Sequence, residues 1–313
     1  MSLIRAIVVD PEVPGRLAIK EVEAPQAGPS EALVQVEATS LNRGDVGRAM
    51  IAEAGWRPGW DLAGTVIKQA ANGTGSKVGS RVVGMLAGGG SWAEQVAVPT
   101  NSLAEIPASV TFAQAATLPI AGLTALHALE KGGFLLNKRV LITGSTGGVG
   151  LFTHQLARLS GAYVVGTARQ ARHEALVREA GANEVIVGDD ISEASAYGPY
   201  HLIIESLGGK ALESALSLLT PGGTCVTLGW SASPSGTATI DVRKFVQTRG
   251  TTLYALNLAE ERSEDLAWLA QMVAEQRLRT SIEVEASWHD IGEVAQRFQQ
   301  RQFTGKAVLH LSR

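Results

Sequence analysis

Apolar and polar residues alternate in short segments along the first third of the chain. Residues 32–38 read ALVQVEA, with the period of two that is typical of a half-buried strand. Residues 64–67 and 81–84 have the same character, and turn-forming residues such as Asn72 and Gly73 separate the segments. This pattern predicts a glycine-rich barrel or sandwich of short strands.

The pattern changes near residue 112. Residues 112–129 have helical spacing with a break expected at Pro119, and from residue 138 apolar strands alternate with amphipathic helices. The predicted strands are residues 139–143, 162–167, 184–187, 201–205, 223–228 and 251–256, and the predicted helices are residues 148–159, 171–180 and 210–219. This alternation predicts an α/β fold whose doubly wound parallel sheet is covered on both faces. Beyond residue 260 an amphipathic helix and a last strand at 306–311 follow, so we expect three segments, 1–112, 113–258 and 259–313.

Composition narrows the class of protein. The 313 residues are 45% hydrophobic and 18% charged, as in a folded chain, and the net charge of −3 gives no signal for nucleic acid or an anionic membrane. One cysteine excludes an internal disulfide and any cysteine-cluster metal site. No apolar run approaches ~18 residues, and the first run ends at Asp10 and Pro11, as a strand does. We therefore expect a cytoplasmic protein without nucleic-acid or membrane partners.

The densest glycine cluster lies in residues 140–150, which read VLITGSTGGVG. The cluster connects an apolar strand to a helix, where main-chain N–H groups and the helix N-terminus favour phosphate. Ser145, Gly147 and Gly150 occupy the three glycine positions of the dinucleotide fingerprint G-x-G-x-x-G, so the first is a serine. The motif predicts a dinucleotide site; the alternative is a tight turn that binds no ligand.

The end of the next strand indicates which dinucleotide fits. An acidic residue there would bind a ribose 2′-hydroxyl and repel a 2′-phosphate. This chain has no carboxylate until Glu174, and instead offers Thr167, Arg169 and Arg172. These residues favour NADPH over NADH, although both arginines could also be exposed charges at a helix start.

Five further blocks accompany the glycine loop in a defined order. They are residues 40–45 (SLNRGD), 58–66 (PGWDLAGTV), 90–95 (GSWAEQ), 115–125 (AATLPIAGLTA) and 304–309 (TGKAVL). Over nearly the whole chain these blocks resemble the medium-chain dehydrogenase/reductase superfamily, specifically its zinc-independent quinone oxidoreductase branch. The resemblance implies a GroES-like β-barrel catalytic domain, built from both chain ends, into which a Rossmann dinucleotide-binding domain is inserted.

The resemblance also bears on metal. Zinc-dependent alcohol dehydrogenases of this superfamily bind catalytic zinc through a Cys and a His, where this chain offers Asn42 and the pair Trp60 and Asp61. The loop of four cysteines for a structural zinc is missing, and Cys225 lies in an apolar strand where a small buried side chain is expected. We expect no metal.

Family correspondence implies roles for individual residues around the cofactor. Asn42 and Thr124 would lie near the nicotinamide and its ribose, and Arg301 and Lys306 could reach the cofactor from the returning C-terminal segment. The glycine loop would face the pyrophosphate through Ser145, Thr146, Gly147, Gly148 and Val149. The strand ends that would line the dinucleotide cleft are Leu207, Leu228, Gly229, Ala255 and Leu256.

A site without zinc has no strong Lewis acid. This favours substrates that accept hydride without a Lewis acid, such as quinones and α,β-unsaturated carbonyl compounds. Asn42, Asp45 and Tyr254 are the candidate catalytic residues, the last two as proton donors. Two alternatives stay open: a zinc-free reductase of aldehydes, ketones or enoyl thioesters, and a non-catalytic NADPH-binding redox sensor.

The apolar strand 251–256 should be the last of its sheet, and such an edge predicts a homodimer.

Overall fold

The computed structural model describes residues 2–233, 235–258 and 262–311, which divide into two compact units. One unit combines the two ends of the chain, Met1–Leu123 and Leu258–Arg313, and is called the split unit here. The other, the central unit, is the continuous segment Thr124–Asn257. The sequence analysis placed these boundaries at residues 112 and 258.

Short strands occur in both units and are numbered here in chain order. The strands along the chain are β1 (Leu3–Val9), β2 (Leu17–Glu23), β3 (Glu31–Ser40), β4 (Asp61–Lys68), β5 (Arg81–Met85), β6 (Gln95–Pro99), β7 (Leu103–Glu105), β8 (Arg139–Ile142), β9 (Tyr163–Ala168), β10 (Glu184–Val187), β11 (Tyr200–Glu205), β12 (Leu219–Thr227), β13 (Thr252–Ala255), β14 (Ile282–Ser287) and β15 (Lys306–His310).

Helices separate most of the later strands. The α-helices are α1 (Arg43–Ala49), α2 (Phe112–Ala116), α3 (Leu123–Glu130), α4 (Gly148–Leu159), α5 (Glu174–Glu179), α6 (Gly209–Ser217), α7 (Val242–Gln247), α8 (Ser263–Ala274) and α9 (Ile291–Gln299). The helix expected over residues 112–129 is divided, because the π-helix Leu118–Gly122 separates α2 from α3. Pro119 lies in that segment and has no main-chain N–H to donate, which explains the interruption.

In the part of the chain that the structure describes, no helix has the length and apolar character needed to cross a membrane.

The split unit is organised around one mixed sheet. Its strand order is β14-β15-β3-β4-β5-β7, with β6 also paired to β3, and β1 and β2 form a separate antiparallel pair. The C-terminal strand β15 is antiparallel to β3 and parallel to β14. Trp92 and Trp288 are among the largest fully buried side chains of the core.

The central unit confirms the predicted α/β fold. Its sheet has the order β10-β9-β8-β11-β12-β13, and every neighbouring pair is parallel. The chain moves outward from β8 to β9 and β10, and then returns to β11 on the other side of β8. In such sheets, ligands bind at the carboxyl ends of the strands where the order reverses. Cys225 of β12 is fully buried, and burial raises the pKa of its thiol.

Pairing of β3 with β4 leaves no room for a side chain at Gly64. A Cβ there would lie 2.0 Å from the main-chain oxygen of Gln35. Gly64→Ala should therefore push the strands apart and lower the free energy of unfolding by about 1–3 kcal/mol, measured by chemical denaturation. Gly88→Ala is the matched control, because nothing lies within 4 Å of a Cβ at Gly88. Equal stability of the two variants would contradict this packing.

Candidate active site

The turn from β8 to α4 has the form that a phosphate-binding loop requires. Gly147 precedes α4 as its N-cap, and no side chain caps the helix. A Cβ at Gly150 would lie 2.5 Å from the main-chain oxygen of Gly144, so only glycine lets the loop pack against the first turn of α4. A Cβ at Gly147 would meet its nearest atom at 3.5 Å. The uncapped helix start and the bare backbone therefore fit a diphosphate group.

Ser145 explains how a serine replaces the first glycine of the fingerprint. Its side chain is fully buried, and its Oγ donates to the main-chain oxygen of Ile142 at 2.8 Å. The same Oγ accepts from the main-chain N–H of Thr167 at 2.9 Å. The hydroxyl therefore ties the end of β8 to the end of β9, and only the main chain of Ser145 remains for a phosphate.

The end of β9 carries the positive charge that the sequence analysis placed there. Thr167 is buried, whereas Arg169 and Arg172 are exposed. Arg169 makes no hydrogen bond or ion pair with any residue in the described part of the chain, and Arg172 directs Nε toward His173 Nε2 at 3.3 Å. An exposed guanidinium without a protein partner is suited to a phosphate monoester.

Glu205 was not singled out in the sequence analysis. It ends β11 next to the glycine loop and is fully buried. Its carboxylate accepts hydrogen bonds from the N–H groups of Leu207, at 2.7 Å, and Gly208, and from Thr143 Oγ1 at 3.2 Å. Burial raises the pKa of Glu205, and these hydrogen bonds oppose that rise. Glu205 thus shapes the segment after β11, where Leu207 was predicted to line the cleft.

The other residues predicted in the central unit lie at strand ends or helix starts. Tyr254 is partly exposed on the edge strand β13, and Lys131 Nζ lies 4.8 Å from its ring centre. The remaining positions are Thr124 in α3, Thr146, Gly148 and Val149 in the glycine loop and the first turn of α4, Leu228 and Gly229 after β12, Ala255 at the end of β13 and Leu256 beyond it.

In the split unit, Asn42 is the centre of a buried polar cluster. Its Nδ2 donates to Asp45 Oδ2 at 3.0 Å and to Asp61 Oδ2 at 2.8 Å, while its Oδ1 accepts from Lys306 Nζ at 2.6 Å. Ser40 Oγ also donates to Asp61. These five residues, Ser40, Asn42, Asp45, Asp61 and Lys306, are called the Asn42 network below. Both amide hydrogens of Asn42 are used within it.

Lys306 is the cation of the Asn42 network. Its side chain is only 3% exposed, and Nζ donates to the main-chain oxygen of Leu41 at 2.9 Å, to Asn42 Oδ1, and to Asp61 Oδ2 at 3.2 Å. The resemblance implied a cofactor contact for Lys306, which stays a prediction. The structure directs all three ammonium hydrogens into the interior of the split unit. Arg301, the other residue of the C-terminal segment in that prediction, follows α9 with a positive φ of 57°.

Asp61 anchors this cation and was missed as a site residue. Besides Ser40, Asn42 and Lys306, it accepts the main-chain N–H of Ile120 on Oδ1 at 2.9 Å. A carboxylate with this many donors is satisfied although it is fully buried.

The side chains of the Asn42 network are poor ligands for a metal ion. Residues 2–233, 235–258 and 262–311 contain no group of three His, Cys, Asp or Glu side chains placed to hold a metal ion. Asn42 Oδ1 and Asp61 Oδ2 already bind the Lys306 ammonium, and Asp61 Oδ1 accepts from the main-chain N–H of Ile120. This donor set does not fit zinc, which prefers thiolate and imidazole ligands.

Two family models match the chain. The alcohol dehydrogenase GroES-like domain model matches residues 28–108, and the zinc-binding dehydrogenase model matches residues 148–275. Both halves of the predicted architecture are therefore recognised in the expected order. The chain belongs to the medium-chain dehydrogenase/reductase family.

Curated relatives place it in the quinone oxidoreductase-like branch of this family. A chloroplastic quinone-oxidoreductase from Triphysaria versicolor is 29% identical over 341 residues, covering 98% of both proteins. A 2-methylene-furan-3-one reductase from Solanum lycopersicum is 31% identical over 251 residues, which cover 75% of this chain and 63% of that protein. The spectinabilin polyketide synthase system protein NorB of Streptomyces orinoci is 36% identical over 217 residues, which cover 67% of this chain and 10% of NorB. The chain thus spans only a small part of NorB.

Solved structures of the medium-chain dehydrogenase/reductase family share the fold. The quinone oxidoreductase of Coxiella burnetii has a TM-score of 0.86 at 24% identity, covering 99% of this chain and 100% of that one. A mycobacterial protein in complex with NADPH has a TM-score of 0.85 at 24% identity, covering 98% and 99%. The chain is an oxidoreductase of this family.

Substitutions at two glycines of the loop distinguish a role in packing from a role in ligand binding. Gly150→Ala should lower thermal stability, because its Cβ would overlap the Gly144 oxygen at 2.5 Å. Gly147→Ala meets no such contact, so it should keep the stability and weaken NADPH binding by covering the bare helix start with a methyl group. The measurements are thermal unfolding without cofactor and fluorescence titration with NADPH. A Gly147→Ala variant that binds NADPH as the parent does would contradict this role for the loop.

Proposed function

We propose that the chain is an NADPH-dependent, zinc-free reductase that transfers hydride to a quinone or an α,β-unsaturated carbonyl compound. The observation that carries this proposal is the Asn42 network. Asn42 and Asp61 lie where the resemblance compares the chain with zinc-dependent enzymes, and the Lys306 ammonium binds both of them. A site built in this way favours acceptors that need no Lewis acid.

The proposal assigns cofactor binding to residues 113–258, and the substrate side to residues 1–112 and 259–313. A nicotinamide dinucleotide supplies hydride chemistry when it is bound, and the protein supplies position and electrostatics. The glycine loop offers main-chain N–H groups to the diphosphate. Glu205 holds the segment that contains Leu207, which lies near the predicted cleft.

Asn42 has a restricted part in this proposal. Because both of its amide hydrogens go to Asp45 and Asp61, it has no hydrogen left for an acceptor oxygen. Its Oδ1 accepts from Lys306 Nζ and also takes part in the capping box of α1 with the main-chain N–H of Asp45. The contact of Asn42 with the nicotinamide ribose, which the resemblance implies, stays a prediction.

The relatives support the acceptor class. One is a quinone oxidoreductase, and another reduces a 2-methylene-furan-3-one, whose C=C bond is conjugated to a carbonyl group. A second candidate is reduction of an enoyl thioester, which is also an α,β-unsaturated carbonyl compound; it is compatible with the match to NorB, a polyketide synthase system protein. A non-catalytic redox sensor would instead bind NADPH without oxidising it.

The preference for NADPH should depend on Arg169. Its exposed guanidinium has no partner in the described residues, so Arg169→Ala should raise the dissociation constant of NADPH about tenfold or more through loss of a charge-assisted hydrogen bond. NADH binding should change little. Arg158→Ala, an exposed arginine on α4, is the control. Equal affinity of the parent for NADH and NADPH, unchanged in Arg169→Ala, would refute this assignment.

Acceptor identity follows from oxidation of NADPH, recorded by its absorbance. We expect turnover with 1,4-benzoquinone and with a 2-alkenal, and none with a saturated aldehyde, since the latter needs its carbonyl polarised. Activity confined to saturated aldehydes would exclude the proposed acceptor class. Tight NADPH binding with no acceptor oxidising it would favour the sensor.

We also propose that the enzyme is a homodimer. β13 lies at the edge of the central sheet, and the preceding helix α7 exposes Val242 and Val246. An apolar edge of this kind is suited to pairing with its own copy. Light scattering at micromolar concentration should give twice the chain mass, and Val246→Lys should shift the enzyme toward monomer. Val78→Lys, which changes an exposed valine of the split unit, should leave the dimer intact; a monomeric parent protein would contradict the proposal.

A further inference from the structure

The charges of the Asn42 network do not balance if every group is ionised. Asp45 and Asp61 are 0% exposed, and Lys306, the one cation of the Asn42 network in the described residues, binds Asp61 and not Asp45. Two carboxylates and one ammonium would leave a net negative charge out of contact with water. An unpaired buried charge costs several kcal/mol, so a buried group of this kind keeps its proton instead.

Hydrogen bonding decides which carboxyl group holds the proton. Asp61 accepts four donors, including the Lys306 ammonium, so the cation of the network is already bound to Asp61. Asp45 Oδ2 accepts only from the main-chain N–H and the Nδ2 of Asn42, at 3.2 and 3.0 Å. Asp45 Oδ1 is buried and has no partner among the described residues. Burial first, and then the Asp61 charge, raise the pKa of Asp45 well above its usual range.

The proton of Asp45 is placed by the same contacts. Oδ2 already accepts two hydrogen bonds, so the proton belongs on Oδ1. All other polar hydrogens of the network are committed: those of Asn42 Nδ2 to Asp45 and Asp61, and those of Lys306 Nζ to three oxygen atoms. Ser40 Oγ donates to Asp61. Within the Asn42 network as described, the Oδ1–H of Asp45 is the hydrogen that remains for a ligand.

We propose that Asp45 is a neutral carboxylic acid in the working enzyme and that its Oδ1–H donates a hydrogen bond, directly or through one water molecule, to the oxygen of the bound carbonyl acceptor. This inference rests on the proposed function, since a quinone or an enone gains negative charge on oxygen as hydride arrives at carbon. A neutral acid in a buried site stabilises such an oxygen without requiring a charged donor. The Oδ1–H of Asp45 also provides a hydrogen-bond donor for the acceptor oxygen, which Asn42 cannot provide because both of its amide hydrogens are used.

Infrared spectroscopy tests the protonation without cofactor or acceptor. At neutral pH the parent protein should show the C=O stretch of a protonated carboxyl group that Asp45→Asn removes. Asp10→Asn is the control, because its hydrogen bond with Lys20 lowers the pKa of Asp10 and keeps it ionised. Glu205 is common to all three proteins and cancels in the difference. Identical spectra of the parent and Asp45→Asn in this region overturn the proposal.

Two substitutions at position 45 test the hydrogen bond. The amide of Asp45→Asn can place an N–H where Oδ1–H lies and still accept from Asn42, so it should keep most of kcat. Asp45→Leu removes the donor and should lower kcat by about 10²–10³-fold, the effect of losing one oxyanion donor. The dissociation constant of NADPH, measured by fluorescence, should be the same in both variants.

The outcomes separate this proposal from the proposed function. If Asp45→Asn loses as much kcat as Asp45→Leu, the negative charge of Asp45 is required and the proposal is overturned. If Asp45→Leu fails to fold, as thermal unfolding would show, lost kcat in Asp45→Asn still overturns the proposal, and the infrared difference still tests the protonation of Asp45. If the parent protein reduces no carbonyl acceptor, the proposed function fails and the assigned donor role fails with it. The infrared difference still shows in that case whether Asp45 is neutral.

Discussion

Lys306 and Asp61 are 245 residues apart along the chain, and their contact is buried at the centre of the split unit. Removing two charges from water is costly unless each finds enough partners. Here the ammonium reaches Leu41, Asn42 and Asp61, and the carboxylate collects four donors in return. The last strand is thereby fixed against β4, which begins at Asp61, and against the segment between β3 and α1 that contains Leu41 and Asn42. The orientation of the Asn42 amide, and hence what this residue can offer a ligand, follows from that pair.

The central unit meets a different constraint, which is to present backbone rather than side chains. Gly150 permits the contact between the loop and α4, and the buried hydroxyl of Ser145 joins β8 to β9 without entering the space above the helix start. Charge is then added beyond the loop, by Arg169 and Arg172. The main chain gives the loop its shape, and exposed side chains supply the charge. The loop and the charged residues can therefore vary separately among proteins that share this fold.

Local patterns predicted the central unit well. Its apolar strands and glycine loop can be read within a few residues of sequence, and the structure confirms the parallel sheet. The interruption at Pro119, in the split unit, is equally local. The buried polar groups were harder to foresee. Glu205 looks like the polar end of an apolar strand, and its partners are known only once the loop is folded. Asp61 and Lys306 meet across most of the chain, and no periodicity links them. Asn42 and Asp45 were identified, but the commitment of the Asn42 hydrogens required the tertiary contacts.

The split arrangement also has a consequence for synthesis. All six strands of the central sheet lie between residues 139 and 255, so that sheet is complete as soon as this stretch has left the ribosome. The sheet of the split unit waits for β15, since residues 306–310 fill the position between β14 and β3. Until then residues 38–40 of β3 lack their partner strand while more than 200 further residues are made, although β6 already pairs with residues 31–35. Contacts of such high sequence separation form late. The central unit can therefore fold first, and the sheet of the split unit, which carries Asp61 and Lys306, is completed last.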